Sequence, residues 1–162
     1  MIEEIEIKIG QELRERGWRL AVAESCTGGL IGHRITNISG SSTYYLGSIT
    51  AYAYRAKVRL LNVSWDTLEK YGAVSEETIR EMALGVRRAL AADVGLAVSG
   101  IAGPTGGTPD KPVGYTWIGL STPEGILTLQ HTAGSDRIGN KEEVAQIALE
   151  FLYEFLKNNG KD

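Results

Sequence analysis

Residues 19–36 read RLAVAESCTGGLIGHRIT. The opening RLAVAE is a short apolar run that stops abruptly at SCTGG, and LIGHRIT then has helical character. The segment reads strand, tight turn, helix. Moving outward, TYYLGSITAY at 43–52 is rich in β-branched and aromatic residues and predicts a second strand, followed by a helix with Lys57 about one turn in. VGLAVS at 94–99 predicts a buried strand. YTWIGLST at 115–122 and ILTLQHTA at 126–133 flank Pro123, Glu124 and Gly125 as an antiparallel hairpin, so the sheet is mixed.

Helices fill the intervals. Ile5, Ile9 and Leu13 recur every fourth residue up to Gly17; IEIKI could also alternate as a strand, and the longer spacing favours a helix. Ser75 predicts an N-cap ahead of Glu76 and Glu77. Behind it Ile79, Met82, Ala83, Val86 and Leu90 form one stripe, with Arg87 and Arg88 at the far end. Val144, Ile147, Ala148, Phe151, Leu152 and Phe155 place a further apolar stripe on a closing helix, which must dock on a sheet face. Helices interleaved with strands imply an α/β fold, a three-layer α/β/α sandwich around a mixed sheet, as a single domain over residues 1–162.

Composition narrows the function. The chain has 162 residues, 43% of them hydrophobic, enough for one sizeable core. Its 20 acidic and 17 basic side chains give a net charge of −3, which leaves no broad basic face for a nucleic-acid backbone. Nothing approaches the run of about 18 apolar residues that spans a membrane, and MIEEIEIKIG is too acidic for a signal peptide. A soluble, cytoplasmic protein without nucleic-acid or membrane partners is expected. Cys26 is the lone cysteine and the two histidines, His33 and His131, lie far apart, so no structural metal is expected. A carboxylate-bound magnesium ion would leave little trace in a sequence.

Three segments could carry chemistry. AESCTGG sets the hydroxyl of Ser25 between a buried strand and a helix start that contains Thr27, Gly28 and Gly29. Free amides there can face a developing oxyanion or a phosphate, although Ser25 could equally be a turn residue beside packing glycines. A serine nucleophile needs a base, and neither histidine suggests a triad, which directs attention to Tyr52 and Lys57. A desolvated Lys57 could act as a neutral base, or a charged Lys57 could stabilise a deprotonated Tyr52 that takes the serine proton. The plainer reading is a strand-end tyrosine beside a solvated lysine. Cys26, next to a helix start, reads as a small packing residue rather than the nucleophile.

The third segment, GIAGPTGGTPDKPVG at 100–114, holds five glycines and three of the four prolines of the chain and cannot be a regular element. Loops of this length in a compact domain usually line a site, and glycine lets backbone amides approach an anion. No Lys-Ser/Thr pair follows the last glycine, so it is not a Walker A loop.

AESCTGG at 23–29, Tyr52 with Lys57 in YAYRAK, and SGIAGPTGGTPDKPVG at 99–114 resemble, in this order, the CinA C-terminal domain family. The likeness extends through GAVSEETIREMA at 72–83 and the pair Asp136 and Arg137 ahead of the last helix. It implies hydrolysis of the carboxamide of nicotinamide mononucleotide to nicotinic acid mononucleotide and ammonia, without metal or organic cofactor. Ser25 would attack the amide, Lys57 and Tyr52 would handle protons, and amides near Thr27 and Gly28 would hold the oxyanion, with Gly29 in the same turn. Gly100, Ala102 and Gly103 would enclose the nucleotide, Arg137 would contact its phosphate, and the chain would form a homodimer or higher homo-oligomer. Ser39, Ser48, Ser99 and Lys141 depart from the family pattern, where proline, glycine, threonine and arginine are usual. These changes touch substrate binding more than the reaction. Some relatives carry a further N-terminal domain, and the expectation here concerns the amidohydrolase half. The competing expectation is a non-catalytic nucleotide-binding or regulatory module linked to competence; the combination of Ser25, Tyr52 and Lys57 favours catalysis.

Overall fold

The computed structural model describes residues 4–159. LAVAE forms β1 (Leu20–Glu24), and all five residues are buried because the strand is covered on both faces and flanked on both edges. It pairs in parallel with β2 (Tyr45–Thr50) on one side and β3 (Val94–Gly100) on the other. The chain then returns antiparallel through β4 (Tyr115–Thr122) and β5 (Gly125–Thr132), giving the order β2-β1-β3-β4-β5 and the mixed sheet that the sequence predicts. Gly125 pairs with Thr122, so the hairpin turn is two residues, Pro123 and Glu124.

Six α-helices cover the two faces among the described residues. The first face carries α1 (Ile5–Arg16), α2 (Leu30–Thr36) and α6 (Arg137–Asn158), whose Ile9, Leu13, Ile31, Ile35, Val144, Ala148 and Leu152 pack with Leu20, Val22, Leu96 and Val98. The opposite face carries α3 (Tyr54–Leu61), α4 (Trp65–Tyr71) and α5 (Glu76–Ala89) over Ala21, Ala23 and Ala97. Alternate residues of each buried strand feed the two cores, which is the period-two side-chain rule at work. Ser75 caps α5, its hydroxyl accepting the Thr78 N–H at 3.1 Å. Gly85 allows α5 to approach the end of α3, since any Cβ there would overlap the Leu61 carbonyl.

Boundaries of β2 and α6 differ from the sequence reading, as does the hairpin turn. The predicted strand over 43–52 begins only at Tyr45, because Ser41–Thr43 close a 3₁₀ turn, and it ends at Thr50, leaving Ala51 and Tyr52 beyond it. Arg137 opens the last helix rather than preceding it: Asp136 is the N-cap, its carboxylate accepting the Gly139 N–H at 2.8 Å. Helix α4 has no counterpart in the sequence reading, since Leu68 is its one buried residue and one apolar position makes no period.

The connection after β1 runs to α2 on one face, and that after β2 runs to α3 on the other. Neighbouring parallel strands whose connections diverge leave a crevice at their carboxyl ends, the usual ligand position in open α/β sheets.

Candidate active site

Ser25 is the first residue past β1 and lies in that crevice, buried except for a small exposed edge. Lys57 reaches it from α3. That helix buries Lys57 and Leu61, spaced i,i+4, so the lysine occupies the apolar stripe and is turned inward although its head group is charged. Its Nζ donates to three oxygens: Ser25 Oγ at 2.9 Å, the Ala51 carbonyl at 2.9 Å and the Tyr52 carbonyl at 3.0 Å. Burial pushes the Lys57 ammonium down to about 8, so about a tenth of it is neutral at pH 7. In the neutral amine the two peptide carbonyls hold the two N–H groups, and the lone pair is left for the serine hydroxyl. Chemically, this arrangement would allow a neutral lysine to take a proton from the serine hydroxyl.

The turn after Ser25 is held from behind by Glu24. Its carboxylate accepts the Thr27 hydroxyl at 2.7 Å and the amides of Gly29, Ile31 and Gly32 at 3.2, 2.9 and 3.0 Å. The Gly28 amide returns to the Ser25 carbonyl at 3.1 Å. The helix start is thus filled by the protein's own carboxylate, and the expectation of free amides from Thr27 to Gly29 needs correction. Those of Gly28 and Gly29 are engaged, with the Ser25 carbonyl and the Glu24 carboxylate. The sequence signal was present: a glutamate ending a run in which every residue is buried needs partners.

A cavity of about 310 Å³ opens on Ser25 and Lys57. Its walls include Tyr52, Ser99, Gly100, Ala102, Gly103 and Arg137, so the fold brings the long Gly/Pro loop and the start of α6 to the same crevice. Thr27, Gly28 and Gly29 lie outside the lining. Gly103 has φ +83°, a conformation that favours glycine, and its carbonyl accepts Arg137 Nη1 at 2.7 Å. Asn140, buried on the next turn of α6, donates to the Ala102 carbonyl at 3.0 Å and accepts the Ser135 amide at 2.7 Å. Sequence reasoning missed Asn140, whose partners lie on distant or irregular segments.

Tyr52 is placed differently from the sequence expectation. It reaches Lys57 through its backbone carbonyl, while its hydroxyl accepts Arg137 Nη2 at 3.2 Å and the ring is 62% exposed. Tyr52 lies two residues past Thr50, where strand alternation no longer directs its side chain. Cys26 is buried, and burial pushes its thiol up to about 11, so it is protonated and unreactive at neutral pH. Among the described residues no group of three or more His, Cys, Asp and Glu is arranged to hold a metal ion, and no helix is long and apolar enough to cross a membrane.

Fold and site together define an α/β/α protein with a buried serine and lysine in hydrogen-bond contact at the carboxyl ends of a parallel strand pair. The chain belongs to the CinA C-terminal domain family, whose model matches residues 2–156. It is 46% identical over 159 residues to the nicotinamide-nucleotide amidohydrolase PncC of Enterobacter agglomerans, covering 97% of both chains. It is 51% identical over 146 residues to a CinA-like protein of Salinibacter ruber, covering 90% of this chain and 35% of that protein. The chain therefore spans about a third of the length of several curated relatives that it matches. Among solved structures, the competence damage-inducible protein A (ComA) of Klebsiella pneumoniae superposes with a TM-score of 0.93 at 31% identity, over 96% of this chain and 97% of that one. The competence/damage inducible protein CihA of Agrobacterium tumefaciens gives 0.90 at 34% identity, over 98% of each.

Proposed function

We propose that this chain hydrolyses the carboxamide of nicotinamide mononucleotide to nicotinic acid mononucleotide and ammonia, with Ser25 as nucleophile and Lys57 as its base. The observation that carries this reading is the 2.9 Å contact between Lys57 Nζ and Ser25 Oγ, with the other two bonds of that nitrogen directed at carbonyls. The near full-length likeness to PncC supplies the substrate.

Neutral Lys57 takes the proton of Ser25 as Oγ attacks the carboxamide carbon. The amide of Cys26, the residue after the nucleophile and part of the cavity wall, receives the resulting oxyanion. Lys57 then returns its proton to the departing nitrogen, ammonia leaves, and Ser25 carries the acyl ester. A water molecule attacks that ester and gives its proton to Lys57, which passes it to Ser25 Oγ as the carboxylic acid leaves, restoring the serine hydroxyl and the neutral amine. Tyr52 serves as a wall of the cavity and a partner of Arg137, with the proton step left to Lys57. Arg137 faces the phosphate at the mouth, and Gly100, Ala102 and Gly103 shape the enclosure. The work is done in the cytoplasm on a small molecule by a homodimer, which light scattering tests; a monomer at working concentration removes the dimer.

The test is ammonia release and product mass for the protein incubated with nicotinamide mononucleotide, beside a folded Ser25→Ala variant. Ammonia and nicotinic acid mononucleotide from the parent alone are the expected result. Equal activity in both would move the nucleophile elsewhere. No turnover in either, at high protein and across pH, would leave a binding module.

A further inference from the structure

Glu24 takes no part in the chemistry above, yet it is fully buried and directly precedes the serine. Every hydrogen-bond partner of its carboxylate is a donor, and all four belong to the turn or the first residues of α2: Thr27 Oγ1, Gly29 N and Ile31 N on one oxygen and Gly32 N on the other. Its peptide oxygen accepts the Ala51 amide at 2.8 Å, and the Ala51 carbonyl is one of the two that hold Lys57 Nζ. A single residue is therefore bonded both to the turn that presents the hydroxyl and to the cradle of the amine.

We infer that Glu24 is the positioning residue of the Ser25 and Lys57 pair: its carboxylate takes up the amides of Gly29, Ile31 and Gly32 and locks the 25–29 turn that presents the serine hydroxyl to the lysine. The inference rests on the reading of Ser25 as nucleophile. Without the carboxylate, three amides and a hydroxyl in a dry position would lose their shared acceptor, and the turn would sample other arrangements. A nucleophile and oxyanion donors that drift by about 1 Å lose most of their advantage over water. The same occupancy excludes the substrate phosphate from the start of α2 and leaves it to the Arg137 side of the cavity.

The test compares Glu24→Gln with the parent by three readouts: turnover of nicotinamide mononucleotide, phosphonylation of Ser25 by a fluorophosphonate, and hydrogen exchange of amides 26–32. Glutamine sets an NH₂ where only donors point. Glu24→Gln is expected to lower kcat by about a hundredfold with KM within about twofold, and to slow phosphonylation in proportion. Exchange over 26–32 should quicken by about tenfold or more, with β3 unchanged. Thr27→Val, which keeps the carboxylate and removes one donor, falls between; it carries the test if Glu24→Gln does not fold. Parental phosphonylation and exchange in a folded variant would overturn the inference, as would exchange quickened throughout the fold. If the parent is phosphonylated at Ser25 but does not hydrolyse the nucleotide, the substrate reading fails and the other two readouts still decide on Glu24. If Ser25 of the parent resists the reagent, the nucleophile reading fails and takes this one with it.

Discussion

Two glycine-containing connections meet at the carboxyl ends of β1 and β3, and they are held in opposite ways. The short one, residues 25–29, is gripped from inside by a buried carboxylate with four partners. The long one, residues 101–114, is tied from outside. Arg137 holds Gly103, Asn140 holds Ala102, and Lys111 reaches the Tyr71 carbonyl at 2.7 Å, while residues 104–110 are exposed. A connection locked at its centre can keep a hydroxyl within a fraction of an ångström of its base, whereas one tied at its ends can adapt to a ligand. In the proposed reading, the first carries the chemistry and the second the recognition.

That division is open to direct attack. Ser25→Ala and Lys57→Met, the latter close in length and without a base, should each lower kcat by about a thousandfold or more in folded protein, measured by ammonia release. Asn140→Ala should raise KM about tenfold with kcat nearly kept, and should lower stability by about 1 kcal/mol in denaturant unfolding, because it removes the partner of the Ala102 carbonyl and the Ser135 amide. Arg137→Ala should raise KM by several-fold, and the loss should shrink at high salt, since its guanidinium is exposed. Lys111→Ala, removing one exposed tie, should change KM by about twofold or less. Should the variants of the long loop depress kcat as far as those at Ser25 and Lys57, chemistry and recognition are not divided in this way.

Much of the architecture is legible in the sequence because burial leaves a period. LAVAE, VGLAVS and the stripes of α5 and α6 announce their elements, and the abrupt stop at SCTGG places the serine at a strand end. The limits of β2 are less legible, since an edge strand with a half-exposed face carries a weak pattern. In the site, Ser25 and Lys57 are recognisable as residue types, and the fold sets their polar atoms 2.9 Å apart. The direction of Tyr52 is not recognisable, because beyond Thr50 its side chain obeys the loop and Arg137. Glu24 shows only as a charge at the end of an apolar run. Asn140 leaves no signal, since one of its partners, Ala102, is 38 positions away in the chain.

The central claim is that a neutral Lys57 activates Ser25, and the pH dependence of kcat/KM for nicotinamide mononucleotide tests it most directly. Burial pushes the Lys57 ammonium down to about 8, so the reactive amine gains population as pH rises. The account predicts that kcat/KM climbs about tenfold per pH unit below that value and levels off above it. A profile flat from about pH 6 to 9, or one that falls as the lysine loses its proton, would contradict it and return the proton step to another group.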